Sequence, residues 1–231
     1  MQNLVEVKDL RVSYARREVV HGVSFSVRPG EIFAVVGESG SGKSTLARTL
    51  VGLEKPSGGE VSVRASSVQM IFQDAVGSLN PRMRIRTALD EALRFGGRQA
   101  CSDARTLLET VGLSEAVLEQ YPRELSGGQC QRVSIARALA RGPELLIADE
   151  PVSALDVSVQ ARILNLLREL KTRLGLSILL VAHDLAVVRN VCDRVAVMES
   201  GRFVETGSSD EVFLEPKSDY TRRLLAAVPK I

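Results

Sequence analysis

The chain has 231 residues, 45% of them hydrophobic and 25% charged, the composition of a soluble globular protein able to bury one sizeable core. Its 30 Lys and Arg stand against 28 Asp and Glu, so no domain-wide basic field argues for a nucleic-acid partner. The cysteines Cys101, Cys130 and Cys192 are scattered without a C-x-x-C pair, which argues against a zinc site or a disulfide framework and fits a reducing cytoplasm.

In chain order, "MQNLVEVKDL" lacks the apolar core of a signal segment, and no apolar run approaches the roughly 18 residues of a membrane span. "LVEVKDLRVSY" and "EVVHGVSFSV" place apolar side chains at every second position, as half-buried antiparallel strands do. After a turn at Pro29-Gly30, "EIFAVV" (31–36), "LLIA" (145–148) and "ILLVA" (178–182) are short continuous apolar runs. Such runs predict parallel strands buried on both faces, each followed here by a helical segment. Between them, from about residue 74 to 143, "TALDEALRF", "ARTLLETVGL" and "VSIARALARG" carry apolar residues at spacings of three and four, the pattern of an inserted helical lobe. "RVAVMESGRFVETG" predicts a hairpin turning at Ser200-Gly201, and "DYTRRLLAAV" a closing amphipathic helix. The 231 residues thus make one α/β domain with a β lobe before, and a helical lobe within, the main sheet.

Three stretches carry chemistry. "GESGSGKS" (37–44) matches G-x-x-x-x-G-K-[ST] between a strand and a helix. Its glycines let backbone N–H groups curl toward phosphate oxygens, Lys43 supplies a cation near the β- and γ-phosphates, and Ser44 offers a hydroxyl to Mg2+. "LLIADE" ends a buried strand with Asp149 and Glu150, at the carboxyl edge where α/β ligands sit. Adjacent strand residues point opposite ways, so Asp149 suits the Mg2+ shell and Glu150 the water that attacks the γ-phosphate. Taken alone, two acids capping a strand are commonly structural; the phosphate loop upstream changes that balance. His183, past the strand "ILLVA", reads by itself as a packing or surface residue, but its position suits the same phosphate, as does that of Gln73 at the start of the helical lobe.

The third stretch is "LSGGQ" (125–129). Ser126 and Gln129 have the spacing of a capping box, which accounts for those two residues fully. It does not require Gly127 and Gly128, which leave an open helix end accessible to a phosphate. One phosphate loop is already present, so the natural donor of that phosphate is a second chain.

With these residues together the sequence resembles the ATP-binding cassette (ABC) family from Leu4 to about Val228. The resemblance implies a P-loop NTPase fold of the ABC-ATPase type, with a mixed core sheet, an N-terminal antiparallel β subdomain and an inserted α-helical subdomain. It further implies ATP hydrolysis with Mg2+. Tyr14 resembles the aromatic residue that stacks on adenine, although a strand tyrosine is common anyway. Gly37, Ser39, Gly40, Ser41, Gly42, Lys43, Ser44 and Thr45 match the Walker A region, and Ser126, Gly127, Gly128 and Gln129 the signature that closes over ATP held by the opposite cassette. Gln73 matches the Q-loop glutamine, expected near both the metal and the reacting phosphate. Asp149 matches the Walker B metal ligand, Glu150 the catalytic glutamate, Ser153 to Asp156 the D-loop and His183 the switch histidine.

"SLNPRM" (78–83), "PVSALDVSVQ" (151–160) and "DYTRRLL" (219–225) are similar to importer ATPases for oligopeptides, dipeptides and nickel. That implies two transmembrane permease subunits, a second ABC ATPase of the same or a sister sequence, an extracytoplasmic binding protein acting indirectly, and a peripheral place on the cytoplasmic face of the membrane. The competing readings are an exporter ATPase, and a soluble cassette working on DNA or ribosomes; the second would be favoured by coiled-coil arms or a duplicated cassette, and neither pattern is in the sequence. Departures from the importer group are a short stretch from Gly59 to Gln69, which allows the β lobe to lack a strand or two, Ala75 where proline commonly follows "QD", and no extension after "DYTRRLL" on which substrate gating could rest. Cys130 is expected to be a surface or packing residue and no ligand.

Overall fold

The computed structural model of the chain describes residues 2–15, 17–96 and 103–227; Cys101 and Val228 lie outside them. In chain order the elements are β1 (Val5–Tyr14), β2 (Arg17–Val27), β3 (Ile32–Val36), α1 (Lys43–Leu50), β4 (Gly58–Val63), β5 (Val68–Ile71), α2 (Ile85–Arg94) and α3 (Ala104–Thr110). Two short 3-10 turns, Glu115–Glu119 and Pro122–Glu124, lead to α4 (Gly127–Leu139), β6 (Leu145–Asp149), α5 (Val157–Leu174), β7 (Ser177–Ala182) and α6 (Leu185–Val188). The chain then runs through β8 (Arg194–Glu199), β9 (Arg202–Ser208), α7 (Ser209–Leu214) and α8 (Asp219–Ala226).

The alternating N-terminal segments pair antiparallel, and β4 adds to the other side of β1 in the order β2-β1-β4. Alternation slips where the β1 register shifts between Val7 and Leu10, and Asp9 takes φ 47° there. That bulge returns Leu10 to the buried side. The short stretch after Gly59 thus builds one strand of this sheet and leads directly into β5 of the next.

The continuous apolar runs form the centre of a six-stranded sheet ordered β5-β6-β7-β3-β8-β9, parallel except for β9. Its pleat sorts side chains between two cores. Ile32, Ala34, Val36, Leu146 and Ala148 face the helices that include α4 and α5. Phe33, Val35, Leu145 and Ile147 face α1 and the antiparallel sheet. Phe25 stacks on Phe33 with ring centroids 5.4 Å apart, fastening the two sheets together.

Between β5 and β6, α4 packs against α2 and α3. Cys130 is fully buried there, its thiol 3.5 Å from the Pro122 carbonyl, so of its two expected roles it fills the packing one. The β8–β9 hairpin turns at Ser200 (φ 46°) and Gly201 (φ 80°), two left-handed residues that match the twist of its strands.

Candidate functional site

Strand register brings the expected residues to one edge. Ile71 pairs with Ala148, Ala148 with Leu180, and Val36 with Ala182, so β5, β6, β7 and β3 end at nearly the same level. Gln73, Glu150, His183 and Gly37 follow within two residues of those ends. The end of β6 then separates the two acids, Asp149 inside the strand and Glu150 just past it. Asp149 continues the side of Leu145 and Ile147 toward α1, where it accepts a hydrogen bond from Ser44 Oγ at 2.9 Å and is 2% exposed. Burial pushes its carboxyl up, offset in part by the Ser44 hydroxyl and by Arg48 and Lys43.

Glu150 leaves the strand in a left-handed conformation, φ 46°, which costs a non-glycine residue about 1–2 kcal/mol. Its N–H donates to Val181 O at 3.0 Å, and Ser153 Oγ donates to its carbonyl at 3.2 Å, so the conformation is fixed from both sides. Gln73 Nε2 donates to Glu150 Oε2 at 2.9 Å and lies 3.4 Å from Ser153 Oγ. The amide nitrogen of Gln73 is thereby engaged with the Glu150 carboxylate, and the amide oxygen is the atom it could offer a cation.

Lys43, 3% exposed, donates to the carbonyls of Gly37 and Glu38, both at 2.8 Å, and sits 3.9 Å from Glu150 Oε1. Burial lowers its ammonium, with Glu150 and Asp149 opposing that shift. The loop around it is built by close approach. A Cβ at Gly37 would lie 2.1 Å from Met198 O, and one at Gly42 3.0 Å from Val19 O with φ at 105°. Ser41 Oγ is buried without a partner among the described residues, while its carbonyl accepts from Gly201 N at 2.9 Å. A buried hydroxyl left unpaired is costly, and an oxygen-rich ligand in the loop would meet that need. The Asp149–Ser44 pair offers two hard oxygen ligands of the kind Mg2+ takes. The site residues therefore fit both a nucleotide and its cation.

Tyr14 is 41% exposed beside the loop, its hydroxyl 3.5 Å from Thr45 Oγ1. It lines a recess of about 620 Å³ with Arg17, Glu18, His21, Gly40 and Gly201. Glu18 and His21 gave no signal in the sequence beyond strand alternation; Glu18 Oε2 lies 3.1 Å from His21 Nδ1. Replacing Tyr14 with alanine is expected to weaken ATP binding about tenfold by loss of stacking, read by titration calorimetry. Unchanged affinity would remove the base from this recess.

At the other end of the site, Ser126 caps α4 in a reciprocal box: Gln129 N donates to Ser126 Oγ at 3.3 Å and Ser126 N to Gln129 Oε1 at 2.9 Å. Ser126 and Gly127 are exposed at that helix end. Gly128 also has an internal reason not visible in the sequence. A Cβ at Gly128 would meet Val159 Cγ1 at 2.7 Å, so α4 needs that glycine to lie against the start of α5, whereas one at Gly127 would meet only the end of the Leu155 side chain, at 3.3 Å. Asp156, in the D-loop segment, caps α5 by accepting from Val159 N at 3.0 Å. His183 stands exposed one residue past β7. Among the described residues no hydrogen bond or ion pair joins it to Glu150.

The profile of the family described as "ABC transporter" matches residues 20–153. The oligopeptide transport ATP-binding protein OppF of Lactococcus lactis subsp. lactis (strain IL1403) is 43% identical over 261 residues, covering 100% of this chain and 82% of that protein. OppF of Salmonella typhimurium is 45% identical over 98% of this chain and 78% of its own length. Among solved structures, cbiO1 from Clostridium perfringens, part of the ABC transporter complex cbiONQ, superposes with a TM-score of 0.82 at 28% identity, over 99% of this chain and 97% of that one. The dimeric cassette MJ0796 in a post-hydrolysis state with ADP and Pi does so with a TM-score of 0.76 at 30% identity, over 89% and 98%.

Proposed function

Because the chain belongs to the ABC transporter family, we propose that it is the ATP-hydrolysing subunit of a peptide importer and acts as a motor for a separate permease. The observation that carries the motor reading is the 2.9 Å contact between Gln73 and Glu150. It ties the hydrolytic carboxylate to the segment that continues from β5, and β5 borders a groove of about 500 Å³ lined by Ile71, Phe72, Met83, Phe95, Arg137 and Arg141. That groove, between the main sheet and the helical lobe, is where a permease segment would dock. A shift there reaches Gln73 and then Glu150 through the chain itself. Peptide is the assigned cargo because the OppF relatives are oligopeptide transport proteins.

In this reading ATP lies on the phosphate loop with its base on Tyr14. Lys43, kept on the Gly37 and Glu38 carbonyls by two of its three N–H donors, turns the third to phosphate oxygens, and Glu150 accepts a proton from the attacking water. His183 faces the γ-phosphate from the neighbouring strand end. Mg2+, held by Ser44 and Asp149 with Gln73 beside them, would neutralise phosphate charge. The exposed Ser126–Gly127 end of a second cassette closes over the same nucleotide, and that cassette is either a copy of this chain or a sister. Contacts made only in the closed state are what let nucleotide shift the equilibrium. Among the described residues no helix is long and apolar enough to cross a membrane. The place proposed for the chain is peripheral, on the cytoplasmic face beneath two permease subunits, with an extracytoplasmic binding protein delivering cargo from the other side.

The test is recovery of the tagged Glu150→Gln chain from gently solubilised membranes with ATP present. Two permease chains and a second cassette are the expected companions. Recovery from the soluble fraction with ribosomes or DNA-bound factors would overturn the importer reading.

A further inference from the structure

The segment "DYTRRLL" has no part in the catalytic cycle described so far, yet it reaches the phosphate loop. It forms most of α8, packed on α6 and β9. Its approach is set by Glu205 of β9, whose two carboxylate oxygens accept from Lys217 N at 2.8 Å and Ser218 N at 3.0 Å. Ser218 Oγ accepts from Tyr220 N at 3.2 Å and starts the helix. Arg223, one turn on, lies 3.6 Å from Glu199 of β8 and covers the Tyr220 ring at 5.7 Å. These anchors fix Tyr220, 6% exposed, with its hydroxyl accepting from the Glu38 N–H at 3.3 Å.

That N–H belongs to the peptide unit joining Gly37 and Glu38. Its carbonyl, Gly37 O, is one of the two that hold the Lys43 ammonium. In a trans peptide the N–H and C=O point in opposite directions on one rigid plane. Tyr220 and Lys43 therefore grip the same plane from opposite sides, and rotating it to release one disturbs the other.

We propose that Tyr220 is a positioning residue for the phosphate loop: from α8 it locks the Gly37–Glu38 peptide plane and so sets the carbonyl cradle from which Lys43 engages nucleotide. The inference rests on the reading that nucleotide occupies this loop. Coupling between two sites is reciprocal, so nucleotide on the loop also tightens α8.

Tyr220→Phe keeps the ring, its packing and its contact with Arg223, and removes only the hydroxyl that accepts from Glu38 N–H. In the full chain, binding of the non-hydrolysable analogue AMP-PNP with Mg2+ is measured by calorimetry alongside turnover, and hydrogen exchange of residues 219–226 is followed with and without the analogue. Loss of one neutral hydrogen bond predicts a three- to tenfold weaker affinity, on the order of its net contribution, with turnover at saturating ATP within about twofold of the parent. In the parent the analogue slows exchange across residues 219–226, and in Tyr220→Phe that slowing disappears. A purely structural role would lower melting temperature without changing this nucleotide-dependent protection. Equal affinity in both chains overturns the proposal while leaving the function standing. Should the variant fail to fold, exchange in the parent decides: no nucleotide-dependent protection of α8 overturns it equally. A parent chain that binds no nucleotide removes both readings.

Discussion

Glu150→Gln is expected to lower ATP turnover by about 10²- to 10³-fold while nucleotide still binds, because a positioned general base contributes about that much and the substitution removes it without changing the side chain's size. The neighbours make the change a clean one. Gln73 Nε2, now 2.9 Å from Glu150 Oε2, can donate to an amide oxygen as well as to a carboxylate, so the tie to the groove survives. Lys43 loses the nearby negative charge 3.9 Å away, but the phosphates that bind in its place supply more. ATP would then persist between two cassettes, and the variant should elute as a dimer with ATP and as a monomer without it on size-exclusion chromatography. Turnover within tenfold of the parent would move the base elsewhere, and His183 would be the next group to replace.

Much of this site was legible because its determinants are local. A phosphate loop needs its glycines, lysine and hydroxyl within eight residues, and they lie between a strand and a helix as "GESGSGKS" predicts. The facing of Asp149 follows from the pleat of β6, which carries it to Ser44, while Glu150, one residue past the strand, meets Gln73. The left-handed backbone at Glu150 has no such signal, since no glycine marks it.

Determinants that are distant in sequence were invisible for a physical reason: periodicity reports which face of an element is buried, not what lies against it. Gly37 looks like any loop glycine until Met198, more than 150 residues later, brings its carbonyl against it. Gly128 reads as an opening for a second molecule, yet Val159 of the same chain already requires it. The strand order β5-β6-β7-β3-β8 follows from long crossovers that no local pattern encodes, whereas the β8–β9 hairpin is local. The OppF relatives at 43% and 45% identity bear out the importer group that "SLNPRM", "PVSALDVSVQ" and "DYTRRLL" suggested.

The support that the β8–β9 hairpin gives the loop leads to a second large effect, at the glycine that opens the loop. Gly37→Ala would put a Cβ 2.1 Å from Met198 O and 3.1 Å from Ser41 Oγ. Met198 is paired with Phe203 inside the hairpin and fully buried, so its carbonyl cannot swing aside as a flexible side chain would. Either β8 or the loop must move by about 1 Å, and overpacking of that kind costs about 2–3 kcal/mol. For a domain of this size that is a fall in melting temperature of about 5–10 °C. Because Gly37 O is an anchor of Lys43, nucleotide binding should weaken with it. Gly40→Ala separates the two causes. Its φ of 81° makes alanine there strained by about 1 kcal/mol, but a Cβ at that position meets nothing within 4 Å. It should melt only about 2–4 °C below the parent. If the two variants melt alike in differential scanning calorimetry, the loop gains nothing from the strand behind it, and its shape must be set by its own backbone preferences.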